Sequence, residues 1–155
     1  MIPLFAGNNL VNQSVMNSLL ASLGLLAAIT SFEGKGNAFF ARSGSSRICS
    51  SIHLRFEWAT NYFQLFDGGY DCEDLAAGFD PFRLEFQGDR VLSEGKVVGV
   101  KGENFLNLNY ENLNEGFTYQ WRLKKLPDGT IEYSEKWLEG TDLSLAVYGN
   151  LSLVR

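Results

Sequence analysis

From residue 34 to the C-terminus the chain is a succession of short aromatic and β-branched runs, each cut off by a turn former. No other feature constrains the fold as much. The runs fall near 36–42, 46–58, 61–66, 82–87, 90–93, 96–101, 104–110, 117–125, 130–138 and 142–153. Gln87-Gly88-Asp89, Ser93-Glu94-Gly95 and Pro127-Asp128-Gly129 each place a glycine where a tight turn needs positive φ. Connections this short force neighbouring strands to run antiparallel. No helical periodicity separates the runs, which excludes a parallel α/β sheet. A meander of about eight to ten strands loses its unpaired edges by closing on itself. The expected fold class is therefore all-β: an antiparallel up-and-down meander barrel with an N-terminal helix.

Alternation assigns the faces, because a strand turns successive side chains to opposite sides. Ile48, Ile52, Leu54 and Phe56 share one face, and Arg47, Cys49, Ser51, His53, Arg55 and Glu57 the other. Inner faces are likewise assigned to Phe82, Leu84 and Phe86, to Leu106, Leu108 and Tyr110, and to Leu143, Leu145, Val147, Gly149, Leu151 and Leu153. Two further strands contribute Phe117, Tyr119, Trp121 and Leu123, and Ile131, Tyr133, Glu135 and Trp137. Glu135 is the exception, one acid on an apolar, aromatic face. A carboxylate there needs partners or a shift toward its neutral form. Three readings stand: an ion pair with an arginine near the barrel mouth, a bulge that turns the residue outward, or a polar anchor in a ligand cavity. On the last, the candidate ligand-binding residues are Phe117, Tyr119, Trp121, Tyr133, Glu135 and Trp137.

Other chemistry is sparse. The single histidine, His53, reads as a solvated imidazole on an outer face, and no G-x-S-x-G elbow accompanies it, which removes a hydrolase triad. No P-loop or dinucleotide fingerprint is present. One His and two Cys exclude zinc fingers and zincins. The acidic, glycine-containing stretch Asp67-Gly68-Gly69-Tyr70-Asp71-Cys72-Glu73-Asp74 reads as a solvated loop; it lacks EF-hand spacing. No catalytic residue, metal site or cofactor is assigned. Cys49 and Cys72 can form a disulfide, remain reduced, or leave Cys49 reactive beside Arg47 and His53; a bridge closing a loop of about 24 residues contributes roughly 3 kcal/mol. The net charge of −5 argues against non-specific nucleic-acid binding.

The first 31 residues differ from the rest: the first charged side chain is Glu33. Val15, Leu19, Leu23, Leu26 and Ile29 recur at helical spacing, with Asn12 and Ser14 as candidate caps. The apolar run is too short for a membrane span. It reads as a helix packed on the barrel, as an oligomerisation helix, or as a secretory hydrophobic segment without its basic flank. The organisation expected is a helical segment, 1–31, packed on a barrel domain, 32–155. Neither cytoplasm nor export is selected.

Phe32-Glu33-Gly34-Lys35-Gly36-Asn37-Ala38 after a short helix resembles the opening of calycin-type barrels, the lipocalins and fatty-acid-binding proteins, with Phe32 where those families place Trp. The closing Tyr148-Gly149-Asn150-Leu151-Ser152-Leu153-Val154-Arg155 is similar to their last strand, where a basic residue packs near the opening aromatic; Arg155 or Arg122 would take that role. The resemblance covers about 120 residues, from 32 onward. It implies a barrel with a central cavity that binds a small hydrophobic molecule. Two further readings stand beside it: an interaction protein with a filled barrel whose helix mediates homodimerisation, and a calycin-type enzyme (cyclase, isomerase or chromophore lyase) using Glu135 as acid or base.

Overall fold

The structure, a computed structural model, describes residues 28–112 and 114–155. It contains eleven strands: β1 (Ile29–Phe40), β2 (Ser45–Trp58), β3 (Tyr62–Cys72), β4 (Leu75–Gly78), β5 (Phe82–Gln87), β6 (Arg90–Ser93), β7 (Lys96–Lys101), β8 (Phe105–Asn112), β9 (Phe117–Lys125), β10 (Ile131–Glu139) and β11 (Asp142–Leu153). All pairings are antiparallel and follow a meander; β1 pairs with β11, and β2 with β3, so ten strands close a barrel. The short β4 pairs only with the end of β3. The all-β meander barrel expected from the turn spacing is the fold found. No helix occurs among the described residues, and none there is long and apolar enough to cross a membrane. The expected N-terminal helix lies outside the described residues up to position 27; its last residues, 29–31, are already strand β1.

Two bulges decide what faces inward. Opposite β1, the register of β2 passes from Gly34↔Ile52 to Gly36↔Cys49, so Ser50 and Ser51 together face Lys35. The extra residue reverses the alternation. Cys49 therefore turns inward and is fully buried beside Ile52, Leu54 and Phe56, while Ile48 points out with 64% of its surface exposed. The assignment of Ile48 to the inner face and Cys49 to the outer one fails for this reason. In β3 the register passes from Arg55↔Asp67 to Phe56↔Leu65, with Phe66 unpaired. Phe63 and Leu65 point inward before the bulge, Tyr70 and Cys72 after it, and all four are buried. The stretch 67–72, expected as a loop, is thus strand. Its glycines serve close packing: a Cβ on Gly68 would press on the side chains of Leu54 and Phe79 at 3.0 Å each. Cys49 and Cys72 meet as a disulfide.

The interior is packed with aromatic rings. Phe56 stacks on Phe32 (5.4 Å) and Phe63 (5.2 Å); Phe63 and Phe82 meet Trp121 at 6.0 and 5.7 Å; Trp121 meets Tyr133 at 5.9 Å. Neither Arg155 nor Arg122 takes the expected place beside Phe32. Arg155 is exposed, and Arg122 points outward from β9. Basic residues instead cap the barrel end formed by the β2–β3, β5–β6 and β9–β10 turns: Lys125 lies 4.0 Å over Trp58 and Lys101 4.7 Å over Phe86. Burial, and then the neighbouring charge of Lys101, lowers the pKa of Lys125.

Candidate functional site

The site lies toward the opposite end, where β1–β2, β8–β9 and β10–β11 turn. Glu135, on β10, faces inward and is 1% exposed. Its neighbours follow from antiparallel register: Trp121 of β9 on one side and Val147 of β11 on the other. Residues two positions away on β10, Tyr133 and Trp137, share its face.

Four donors converge on the carboxylate. Oε1 accepts from the hydroxyls of Tyr119 (2.9 Å) and Tyr133 (2.8 Å), and Oε2 accepts from the hydroxyl of Tyr70 (2.9 Å) and from Trp137 Nε1 (3.0 Å). An ionised carboxylate is acceptor-only, with about four lone-pair sites, so the four donors fill it. None of the ion pairs among the described residues involves Glu135. Residues 1–27 and Leu113 carry no ionisable side chain, so no basic side chain from them can supply a counter-charge. Both bland readings of Glu135, the arginine ion pair and the outward bulge, are replaced by a ring of neutral donors.

The phenols are held as donors. The pKa values of Tyr70, Tyr119 and Tyr133 are all raised, first by burial and then by the charge of Glu135 and the hydrogen bonds to it. A phenolate beside a buried carboxylate would set two like charges together in a poorly solvated space.

The six residues singled out in the sequence all lie on the inner side of β9 and β10. Tyr119, Tyr133 and Trp137 bond Glu135 directly. Phe117 does not touch the carboxylate but packs on Trp137, with ring centroids 4.9 Å apart. Trp121 is opposite Glu135 in register and 2% exposed; it packs edge-on against Tyr133 as part of the core. Sequence reasoning missed Tyr70 and Phe79. Tyr70 supplies the fourth donor. Phe79, packed 5.9 Å from Tyr70 and 6.2 Å from Tyr133, holds both rings in place. The signal for Tyr70 was its spacing of two from the buried Cys72, masked by the preceding glycines.

Above Glu135 the exposure increases. One register row runs Tyr110↔Tyr119↔Trp137↔Leu145↔Phe40 across β8, β9, β10, β11 and β1. Tyr119, Trp137 and Phe117 are half-buried, and Tyr110 is 57% exposed. This row, aromatic but for Leu145, lies at the barrel end nearer the buried carboxylate, the mouth. Two hollows of about 350 and 370 Å³ lie on the outside of the barrel, around Arg122, Ser134 and Tyr148 and around Asn107, Gln120 and Lys136. His53 points outward, 3.9 Å from the Asp67 carboxylate. Among the described residues no group of three His, Cys, Asp or Glu is placed to hold a metal ion.

No protein-family model matches this chain, and no curated protein sequence does. The closed antiparallel barrel is compatible with a calycin-like architecture.

Proposed function

We propose that this chain is a calycin-like barrel that binds a small, largely hydrophobic molecule at its aromatic mouth, with the charge of Glu135 held beneath it. The observation that carries this reading is the buried carboxylate with four converging neutral donors. A packed core gains nothing from such a group: burying a charge is costly even when it is hydrogen-bonded, and apolar replacements of buried ionic groups are often neutral or stabilising. A mostly apolar surface with a few convergent polar groups is also the usual character of a small-molecule site. Fold resemblance adds an associational argument only.

A second reading, a filled barrel acting as an interaction module, is favoured by the aromatic packing that runs unbroken from Phe32 through Phe56, Phe63 and Trp121 to Tyr133. Native mass spectrometry of freshly purified protein, with extraction of any released molecule, separates the two. A co-purifying apolar molecule, lost in Glu135→Gln while the barrel stays folded, supports ligand binding. A clean polypeptide mass, together with no stabilisation by a panel of small apolar molecules, supports the filled barrel. The same spectrum reads the subunit count that a homodimer requires.

A further inference from the structure

We propose that the mouth takes an organic cation, an ammonium or quaternary ammonium group on an apolar body, because a buried carboxylate without a basic partner lies beneath the rings of Phe117, Tyr119 and Trp137, over which no side-chain cation lies. The inference rests on the ligand-binding reading above and specifies its chemistry.

Side-chain cations cover rings at both barrel ends, but not evenly: at the mouth, among the described residues, only Phe40 is covered, by Arg47 at 5.5 Å. At the far end the protein supplies its own cations, with Lys125 on Trp58, Lys101 on Phe86 and Arg83 on Tyr62 at 4.0 Å. At the mouth, among the described residues, no Lys or Arg lies over Phe117, Tyr119 or Trp137. The remaining residues, 1–27 and Leu113, contain neither amino acid. Aromatic faces attract cations through the ring quadrupole, most strongly when water is excluded, and recognition of quaternary ammonium groups by aromatic cages is a known use of this.

The charge around the mouth has the same sense. Glu73, Asp74, Glu94, Glu111, Glu115, Glu139 and Asp142 sit on its turns and strand ends, against Arg42, Arg47 and Lys96. The two arginines are engaged: Arg42 pairs with Glu139, and Arg47 with Asp74 at 2.9 Å while lying over Phe40. An acidic rim raises the local concentration of cations and repels carboxylates. Glu135 adds a negative charge beneath the rings that is only weakly screened by solvent. An anionic amphiphile would meet both unfavourably.

The test follows the indole N–H signals of 15N-labelled protein during titration with hexyltrimethylammonium, hexan-1-ol and hexanoate. The expected result is that the Trp137 signal moves, with the cation binding about tenfold more tightly than the alcohol and hexanoate more weakly than either. In Glu135→Gln the preference for cation over alcohol falls substantially. Phe117→Leu, which leaves the carboxylate ring intact, weakens the cation and spares the alcohol. Equal affinity for cation and alcohol, or tightest binding of hexanoate, overturns the cation assignment and leaves the ligand-binding reading standing. If none of the three probes moves the Trp137 signal, both fall.

Discussion

Replacing Glu135 by leucine removes the acceptor for four donors and leaves their side chains in place. Tyr133 and Tyr70 are 1% and 5% exposed, so their hydroxyls cannot turn to water; Tyr119 and Trp137 are half-buried, so the first two alone set a lower bound on the stranded donors. A stranded buried donor costs about 1–3 kcal/mol. Two such donors set the loss at about 4 kcal/mol, reduced somewhat because the variant no longer buries a charge. Glutamine keeps one acceptor oxygen. Trp137 Nε1 can only donate, so that oxygen must stay on the Tyr70 and Trp137 side, with the amide nitrogen toward Tyr119 and Tyr133, whose hydroxyls can turn to accept. The remaining loss is the charge assistance, about 1–2 kcal/mol. Urea unfolding of both variants, followed by tryptophan fluorescence, reads the difference. With a slope of about 2 kcal/mol/M, the leucine midpoint falls by about 2 M and the glutamine midpoint by less than 1 M. A leucine variant as stable as the parent would refute the reasoning, since desolvation of the charge would then outweigh the stranded donors.

Three more outcomes follow from the same structure. Stability should hold to about pH 10 and fall above it: folded-state pKa values of Tyr70, Tyr119 and Tyr133 lie above the unfolded value, so the unfolded chain releases their protons first. With Tyr62, raised to about 12 by burial and its hydrogen bond to Glu57, four such phenols give a slope of up to about 5.5 kcal/mol per pH unit, and Tyr133→Phe should reduce it by about a quarter; urea midpoints at pH 9, 10 and 11 check this, and an unchanged slope in the variant would count against it. The paired change Cys49→Ser with Cys72→Ser opens a loop with a sequence separation of 23 and should cost about 3 kcal/mol; the same loss should appear when the parent is unfolded in reductant. Gly36→Ala should cost about 3 kcal/mol or more, because its Cβ would collide with the Tyr148 carbonyl oxygen and the Ile52 side chain across the β1–β11 seam, while Gly88→Ala, with nothing near its Cβ but a φ of +62°, should cost only the strain of that backbone. Thermal denaturation of the two glycine variants side by side separates collision from strain.

What could be read from the residues depended on where the polar–apolar alternation was unbroken. From Phe82 onward most inner positions carry large apolar side chains and most turns carry glycine, and the strands lie where the pattern placed them; the exceptions are β7, which sets Gly99 and Lys101 opposite the inward Leu108 and Leu106, and Leu143, which a register shift sets opposite the outward Leu138 and not on the inner face assigned to it. The start of β1 was illegible because its inner positions at 34 and 36 are glycines, needed where β1 crosses close to β11, so alternation there has no apolar signal. The end of β3 was illegible because Gly68 and Gly69 carry the residue type of a turn while allowing Leu54, Phe79 and β4 to approach the strand.

The candidate site divides along the same line. Glu135 stood out as the one acid on an inner face, and Tyr119, Tyr133 and Trp137 came with it because β9 and β10 pair with unbroken register. Tyr70 comes from across the barrel, and its inward direction exists only because β3 gains a residue at Phe66. The bulge in β2 works in the same way on Cys49, turning it in to meet Cys72 two residues from Tyr70. Without the β3 bulge, strict alternation from Phe63 and Leu65 would turn residues 70 and 72 outward. The disulfide and the fourth donor to Glu135 would then be lost together. The two irregularities that hide this part of the molecule from a reading by alternation are the ones that complete the ring of donors around its buried carboxylate.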